Sequence, residues 1–182
     1  MKKKLLKISI VGKTNAGKST FINEVIGEII SIQNKKINTT RELIIGIKNL
    51  DDTQLILYDT PGSNYIKSSH IKEKKYKTNL WQGIDKSNII LFFIDSKNFK
   101  INFIEEQVKK LYETKKRIII IFNKIDLIDK KILLPIINQL NNKLIVDSIF
   151  LISVKNHIGI KDLINYVKKF SIDSNWLFNK NE

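Results

Sequence analysis

The sequence predicts an α/β fold: a mostly parallel six-stranded sheet with one antiparallel edge strand and helices on both faces. Three observations predict it. Short β-branched apolar runs recur without polar alternation, as in RIIIIFNK and SIFLIS, which marks strands buried on both sides. Between them lie segments whose apolar residues repeat at i, i+3, i+4 and i+7, and that alternation wraps helices around parallel strands. A glycine-flanked stretch, VGKTNAGKST (Val11 to Thr20), joins the first strand to the first helix.

Taken in order, LKISIV (Leu6 to Val11) is the first strand. A helix opens at Ser19, with Phe21, Ile22, Val25 and Ile26 on one face. The polar stretch SIQNKKINTTRE follows as a loop. LIIGIKN and TQLILYD are two strands split by Leu50-Asp51-Asp52, a hairpin that supplies the antiparallel edge. A polar segment from Gly62 leads into a helix near Lys72 to Trp81. NIILFFID is the next strand, and FIEEQVKKLYE the next helix, with Ile104, Val108, Leu111 and Tyr112 in register. RIIIIFNK and SIFLIS bracket a helix around Ile132 to Asn141. The last helix, GIKDLINYVKKF, carries Ile160, Leu163, Ile164 and Val167 at helical spacing. The tail SIDSNWLFNKNE closes the chain.

Composition limits the chemistry. The chain has 182 residues, the size of one domain with a real core. With no cysteine, neither disulfides nor thiolate metal sites are available, and His70 and His157 cannot make a histidine-rich zinc centre. The lysine-led start MKKKLLKISIVG runs directly into the glycine stretch, so it reads as a buried strand rather than an export signal. No apolar run nears the roughly 20 residues of a membrane-spanning helix. The expectation is a cytoplasmic protein. A net charge of +14 permits contact with nucleic acid. It also fits a sequence crowded with Ile, Lys and Asn and holding a single alanine, Ala16, and the sequence displays no basic platform interleaved with aromatics.

Gly12 to Ser19 fits G-x-x-x-x-G-K-[ST] in the strand-to-helix setting the pattern requires. Its backbone N–H groups form a nest for phosphate oxygens, strengthened by the dipole of the helix that follows. Gly12, Lys13, Thr14, Asn15, Ala16, Gly17, Lys18, Ser19 and Thr20 are therefore the expected phosphate-facing set. Lys18 brings a full charge to the β- and γ-phosphates, and Ser19 offers its hydroxyl to Mg²⁺, a hard ion that takes oxygen ligands. The motif predicts a P-loop NTPase. DTPG (Asp59 to Gly62) ends the strand TQLILYD, where Asp59 can reach the metal and the Gly62 N–H the γ-phosphate. NKID ends RIIIIF, where the Asp126 carboxylate can accept from the guanine N1–H and N2–H₂, donors adenine lacks. SVK (Ser153 to Lys155) caps another strand. Singly each is an ordinary turn; in this order after a phosphate loop they form one nucleotide site.

With these motifs in this order, the chain resembles the translation-factor-like GTPases, and SIQNKKINTTRELIIGI, LLPIINQL and NWLF bring it closest to the Era branch, which acts in bacterial ribosome assembly. MnmE and Der share the phosphate loop and TTR, and they stand as alternative relatives. The resemblance implies a G domain over residues 1–172 and the start of an interdomain linker over 173–182. It covers only the front part of the family's length: after Ser153 the only glycine is Gly159, so no G-x-x-G of an RNA-binding KH module follows. It further implies that Thr40, with Thr39 as the off-by-one alternative, binds Mg²⁺ with Ser19 and Asp59, and that Asn15 holds K⁺. Lys18, Thr40 and Gly62 are the expected catalytic set. Asn123 and Asp126 read guanine, Lys124 packs over the base, and the Ser153, Val154 and Lys155 loop touches its O6. Ser63 stands where Ras-type enzymes carry a water-positioning glutamine, so slow, K⁺-stimulated hydrolysis is expected, and Arg41 reads as a solvent-facing loop residue. The implied function is a GTP/GDP switch in small ribosomal subunit (16S rRNA) maturation. It would cycle through loops 37–43 and 62–74, in a monomer with peripheral association at the inner membrane. The alternative is a GTP-binding relic without turnover.

Overall fold

The structure, a computed structural model, describes residues 2–27, 46–60 and 81–178. Among them the predicted elements appear in order. β1 (Lys4–Gly12) leads through the glycine loop into α1 (Lys18–Ile26). β2 (Gly46–Leu50) and β3 (Thr53–Asp59) form the hairpin, turning through Asp51 and Asp52 with Asp51 at φ 51°. Residues 81–86 are helical (α2); the earlier part of the helix expected there lies outside the described residues. β4 (Ile89–Asp95), α3 (Ile101–Tyr112), β5 (Arg117–Asn123), α4 (Leu133–Lys143), β6 (Ser148–Leu151) and α5 (Ile160–Lys168) complete the alternation.

The sheet order is β2-β3-β1-β4-β5-β6, with all neighbours parallel except β2 and β3. Its strands follow the pleat, so alternate residues enter opposite cores. Ile89, Leu91 and Phe93 of β4 join Phe21, Ile22 and Val25 of α1 and Leu163 and Val167 of α5. Ile90, Phe92 and Ile94 join Ile104, Val108 and Leu111 of α3 and Leu133 and Leu140 of α4 on the other face. This is why the strands read as unbroken apolar runs. β1 lies between β3 and β4, where the strand order reverses, and the crevice beyond the carboxyl ends of strands at such a point is where open α/β sheets take ligands.

A seventh strand joins the expected six. β7 (Ile172–Asp173) pairs antiparallel with Lys4 and Leu5, along the stretch of β1 that precedes its pairing with β4 at Ile8. Of residues 173–182, expected to begin a linker, 179–182 lie outside the described residues, and 173–178 pack on the domain. The fully buried Gln54 accepts from the Leu177 and Phe178 N–H groups (2.9 and 3.2 Å) and donates to the Phe178 carbonyl (3.0 Å). Trp176 Nε1 donates to the Asp52 carbonyl (3.2 Å), and Phe178 covers Leu5, Ile56 and Tyr58. Among the described residues no helix is long and apolar enough to cross a membrane.

Candidate functional site

The glycine loop leaves β1 at Gly12 and enters α1 at Lys18. Both glycines are required by space as well as by backbone angle. At Gly12 (φ 154°) a Cβ would collide with the Phe93 carbonyl, and at Gly17 (φ 92°) with the Asn123 side-chain amide. Asn15 also adopts a left-handed conformation (φ 65°) at the loop's apex. Between the glycines the Ala16 N–H donates to the Lys13 carbonyl (3.2 Å), which folds the loop on itself. Thr14, Asn15, Ser19 and Thr20 are exposed, whereas Ala16 and Lys18 are buried.

Lys18 is the charge at the centre of the loop. Its ammonium donates to the carbonyls of Gly12 and Lys13, each at 2.9 Å. Burial holds its pKa below that of an ordinary lysine, against the opposing pull of Asp59. Lys13 contributes backbone alone, since its own ammonium sits 4.0 Å over the Phe103 ring of α3.

Ser19 Oγ donates to Asp59 Oδ2 at 3.0 Å, which brings together the two expected Mg²⁺ ligands of the described residues. Asp59 Oδ1 is buried and has no hydrogen-bond partner among the described residues. Burial raises the Asp59 pKa, with the Ser19 hydrogen bond and Lys18 acting against it. A buried carboxylate oxygen left without a partner is costly, and a hydroxyl with a carboxylate is the oxygen donor set a divalent hard cation takes. The residues therefore fit Mg²⁺. Thr60 fixes the approach to this point, donating from both N (3.2 Å) and Oγ1 (2.7 Å) to the Ile10 carbonyl. Thr39, Thr40, Arg41, Gly62, Ser63 and the expected switch loops 37–43 and 62–74 lie outside the described residues.

The base-facing motifs converge on the same edge. Asn123 is buried and both ends of its amide are engaged: Nδ2 donates to the Ala16 carbonyl (2.9 Å), and Oδ1 accepts from the Val154 N–H (3.1 Å). It joins the phosphate loop to the 153–155 loop, a bracing role that the sequence did not reveal. Asp126 is exposed and receives the Ser153 hydroxyl on Oδ1 at 2.5 Å, which leaves Oδ2 for a ligand. Ser153 Oγ in turn accepts from the Asn156 N–H (3.2 Å), and His157 Nδ1 meets Glu24 Oε1 at 2.6 Å, tying this loop to α1. Lys155 is exposed beside buried Val154. Lys124, left-handed at φ 66°, is held by Asp95 at 2.6 Å. Sequence reasoning passed over Asp95. A signal was present, because Asp59, Asp95 and Asn123 each end a strand, and Asp95 lies opposite Asn123 in the register.

The arrangement offers a cationic, amide-lined cradle for phosphates, an oxygen pair for a divalent ion and a carboxylate for a base edge. A family model described as 50S ribosome-binding GTPase matches residues 7–124. GTPase Era of Buchnera aphidicola subsp. Acyrthosiphon pisum (strain APS) is 42% identical over 166 residues, covering 90% of this chain and 57% of the relative. GTPase Era of Brucella suis biovar 1 is 30% identical over 171 residues, covering 94% and 54%. Among solved structures, Era in complex with MgGDPNP and nucleotides 1506–1542 of 16S ribosomal RNA superposes with a TM-score of 0.82 at 29% identity, over 99% of this chain and 61% of that one. An Aquifex aeolicus Era variant bound to GDP.AlF4⁻ gives 0.80 at 28%, over 100% and 61%. The chain spans just over half the length of the curated relatives it matches.

Proposed function

We propose, from the premise that this chain belongs to the 50S ribosome-binding GTPase family, that it binds GTP with Mg²⁺ and hydrolyses it as a molecular switch. The observation that carries this reading is the joint placement of Lys18 inside the phosphate loop and of Ser19 against an Asp59 whose second oxygen is buried without a partner among the described residues. Lys18 is pre-aimed: two loop carbonyls hold its ammonium where phosphate oxygens would replace them as acceptors. Ser19 and Asp59, with Thr40, would hold Mg²⁺, which supplies neutralising charge to the phosphates. Asp126 Oδ2 would accept from the guanine edge while Ser153 keeps the carboxylate oriented. Bracing by Asn123 keeps the base loop and the phosphate loop at a fixed separation.

K⁺ is the second ion of this reading. Asn15, exposed at the apex of the loop with positive φ, is the residue that would coordinate it, and hydrolysis in KCl should exceed that in NaCl. Ser63, at the position where Ras-type enzymes carry a water-positioning glutamine, is the ground for slow turnover. The biological setting proposed is maturation of the small ribosomal subunit. Its support is the similarity to Era proteins, one of them solved with 16S rRNA. A cytoplasmic, monomeric protein with peripheral inner-membrane association completes the proposal.

Two experiments test it. Titration of GTP and ATP into Lys18→Ala and Asp126→Asn should give lost affinity in the first and lost guanine preference in the second; unchanged binding in both would overturn the site. Co-sedimentation with small ribosomal subunits in potassium buffer should pellet the chain with a non-hydrolysable GTP analogue and not with GDP. Equal pelleting in both states would rule out a nucleotide switch on the ribosome.

A further inference from the structure

Between Asn123, which braces two loops, and Asp126, which offers a carboxylate oxygen, stands Lys124 with a left-handed backbone (φ 66°). That conformation is costly for a residue with a Cβ and persists only where the surroundings hold it. It turns the chain out of β5, and the side chain reaches across to the end of β4, where Nζ donates to Asp95 Oδ2 at 2.6 Å. Asp95 is itself fixed. Its Oδ1 accepts from the Lys97 N–H (2.9 Å), its carbonyl accepts from the Asn98 N–H (3.1 Å), and it lies opposite Asn123 in the register. The next residue, Ser96, donates its N–H to the Asn123 carbonyl (2.9 Å). Asp95 also lines a cleft of about 150 Å³ together with Thr14 and Asn15, so it stands beside the phosphate loop at the carboxyl end of the sheet.

We propose that Asp95 is a positioning residue for nucleotide binding: it holds the Lys124 side chain extended, so that the stem is in place as an apolar surface for the face of the base before the ligand arrives. The inference rests on the guanine site of the proposed function and adds a residue to it. A lysine stem packs as hydrocarbon while its ammonium seeks water or an acid. Left free, it carries rotamer entropy that a ligand must remove on binding. Here both ends of the stem are held, the Cα by the turn out of β5 and Nζ by a carboxylate whose two oxygens are each engaged. The pair keeps 31% of the lysine side chain and 21% of the aspartate side chain exposed. An ion pair so open to solvent adds little to stability, so its consequence lies in binding. An apolar stem covers any purine face alike, and Asp95 therefore acts on affinity and leaves the choice of base to Asp126.

The test is titration of the full chain with GDP, GTP and IDP, with stopped-flow release of mant-GDP from the same samples. Asp95→Asn removes the charge and keeps the oxygen that accepts from the Lys97 N–H, so the turn after β4 is preserved. It should weaken GDP and GTP alike by about fivefold, chiefly as faster release. The preference for GDP over IDP, kcat at saturating GTP and the urea midpoint should stay near those of wild type. The decisive readout is coupling between the two residues. Lys124→Met keeps an apolar stem without the charge and should lose affinity to a similar degree, and adding Asp95→Asn to it should cost nothing more. Losses that multiply in the double variant would mean that Asp95 acts on the end of the sheet and not through Lys124, which overturns the inference. Unchanged release from Asp95→Asn, beside a wild type that binds GDP in preference to ADP, would overturn it alone. A wild type with no such preference would overturn the guanine site and this inference with it.

Discussion

Two buried amides, at two ends of the same sheet, do different work. Gln54 on β3 bonds to Asn49, to the Phe178 carbonyl and to two backbone N–H groups of the tail, and the seam it closes is complete. Asn123 at the end of β5 also bonds at both ends, yet the groups around it are left waiting: Lys18 is desolvated, and Asp59 Oδ1 is buried without a partner among the described residues. The tail seam spends its polar groups on the fold. The nucleotide end keeps a cation and a carboxylate partly uncompensated at some cost in stability, and a polyanion with a divalent cation is the ligand pair that relieves both.

The sharpest way to break this contrast is Lys18→Ala. Loss of charge-assisted contacts to phosphate should lower GTP affinity by about 3 kcal/mol, roughly a hundredfold, while the urea midpoint of the ligand-free chain moves far less. Isothermal titration and urea melts on one sample check both. Asn123→Ala should blur the two classes. It leaves the Val154 N–H and Ala16 carbonyl without partners, so stability should fall by about 2–3 kcal/mol and nucleotide affinity should fall with it. Gln54→Leu belongs to the fold alone. It should cost about 2 kcal/mol, free the tail to proteolysis after residue 171, and leave GTP affinity unchanged; a loss of affinity there would mean that the two ends are coupled.

The smallest effect is on pH. The Asp59 pKa is raised, so the ligand-free fold binds this proton more tightly than the unfolded chain does. Ligand-free stability should therefore decline as pH rises from the ordinary carboxylate range through the raised Asp59 value. Mg²⁺ has the opposite dependence, because it competes with the same proton. Its affinity should weaken as pH falls toward that value, by several-fold rather than by decades, and Asp59→Asn should abolish the dependence. Mg²⁺ titrations of the GTP-loaded chain across the mildly acidic range would show it.

The sequence by itself determined the alternation of strands and helices, because unbroken Ile and Phe runs have no other place than a sheet covered on both faces. It also determined the phosphate loop, where Gly12, Gly17, Lys18 and Ser19 are constrained by local backbone geometry and by chemistry at fixed spacing. Element ends were less legible: β1 starts two residues early at Lys4, and β6 stops at Leu151 while Ile152 still bonds to the Phe122 carbonyl (2.8 Å). Only the tertiary structure decided that Asp95 holds Lys124, that Asn123 braces two loops, that Ile172 and Asp173 pair with β1 as a seventh strand while Gln54 holds the tail beyond it, and that Arg117 lies over Phe170. The physical reason is range. Periodicity and turn chemistry act over a few residues, whereas these contacts join positions that only the parallel register and helix packing bring within hydrogen-bonding or stacking distance.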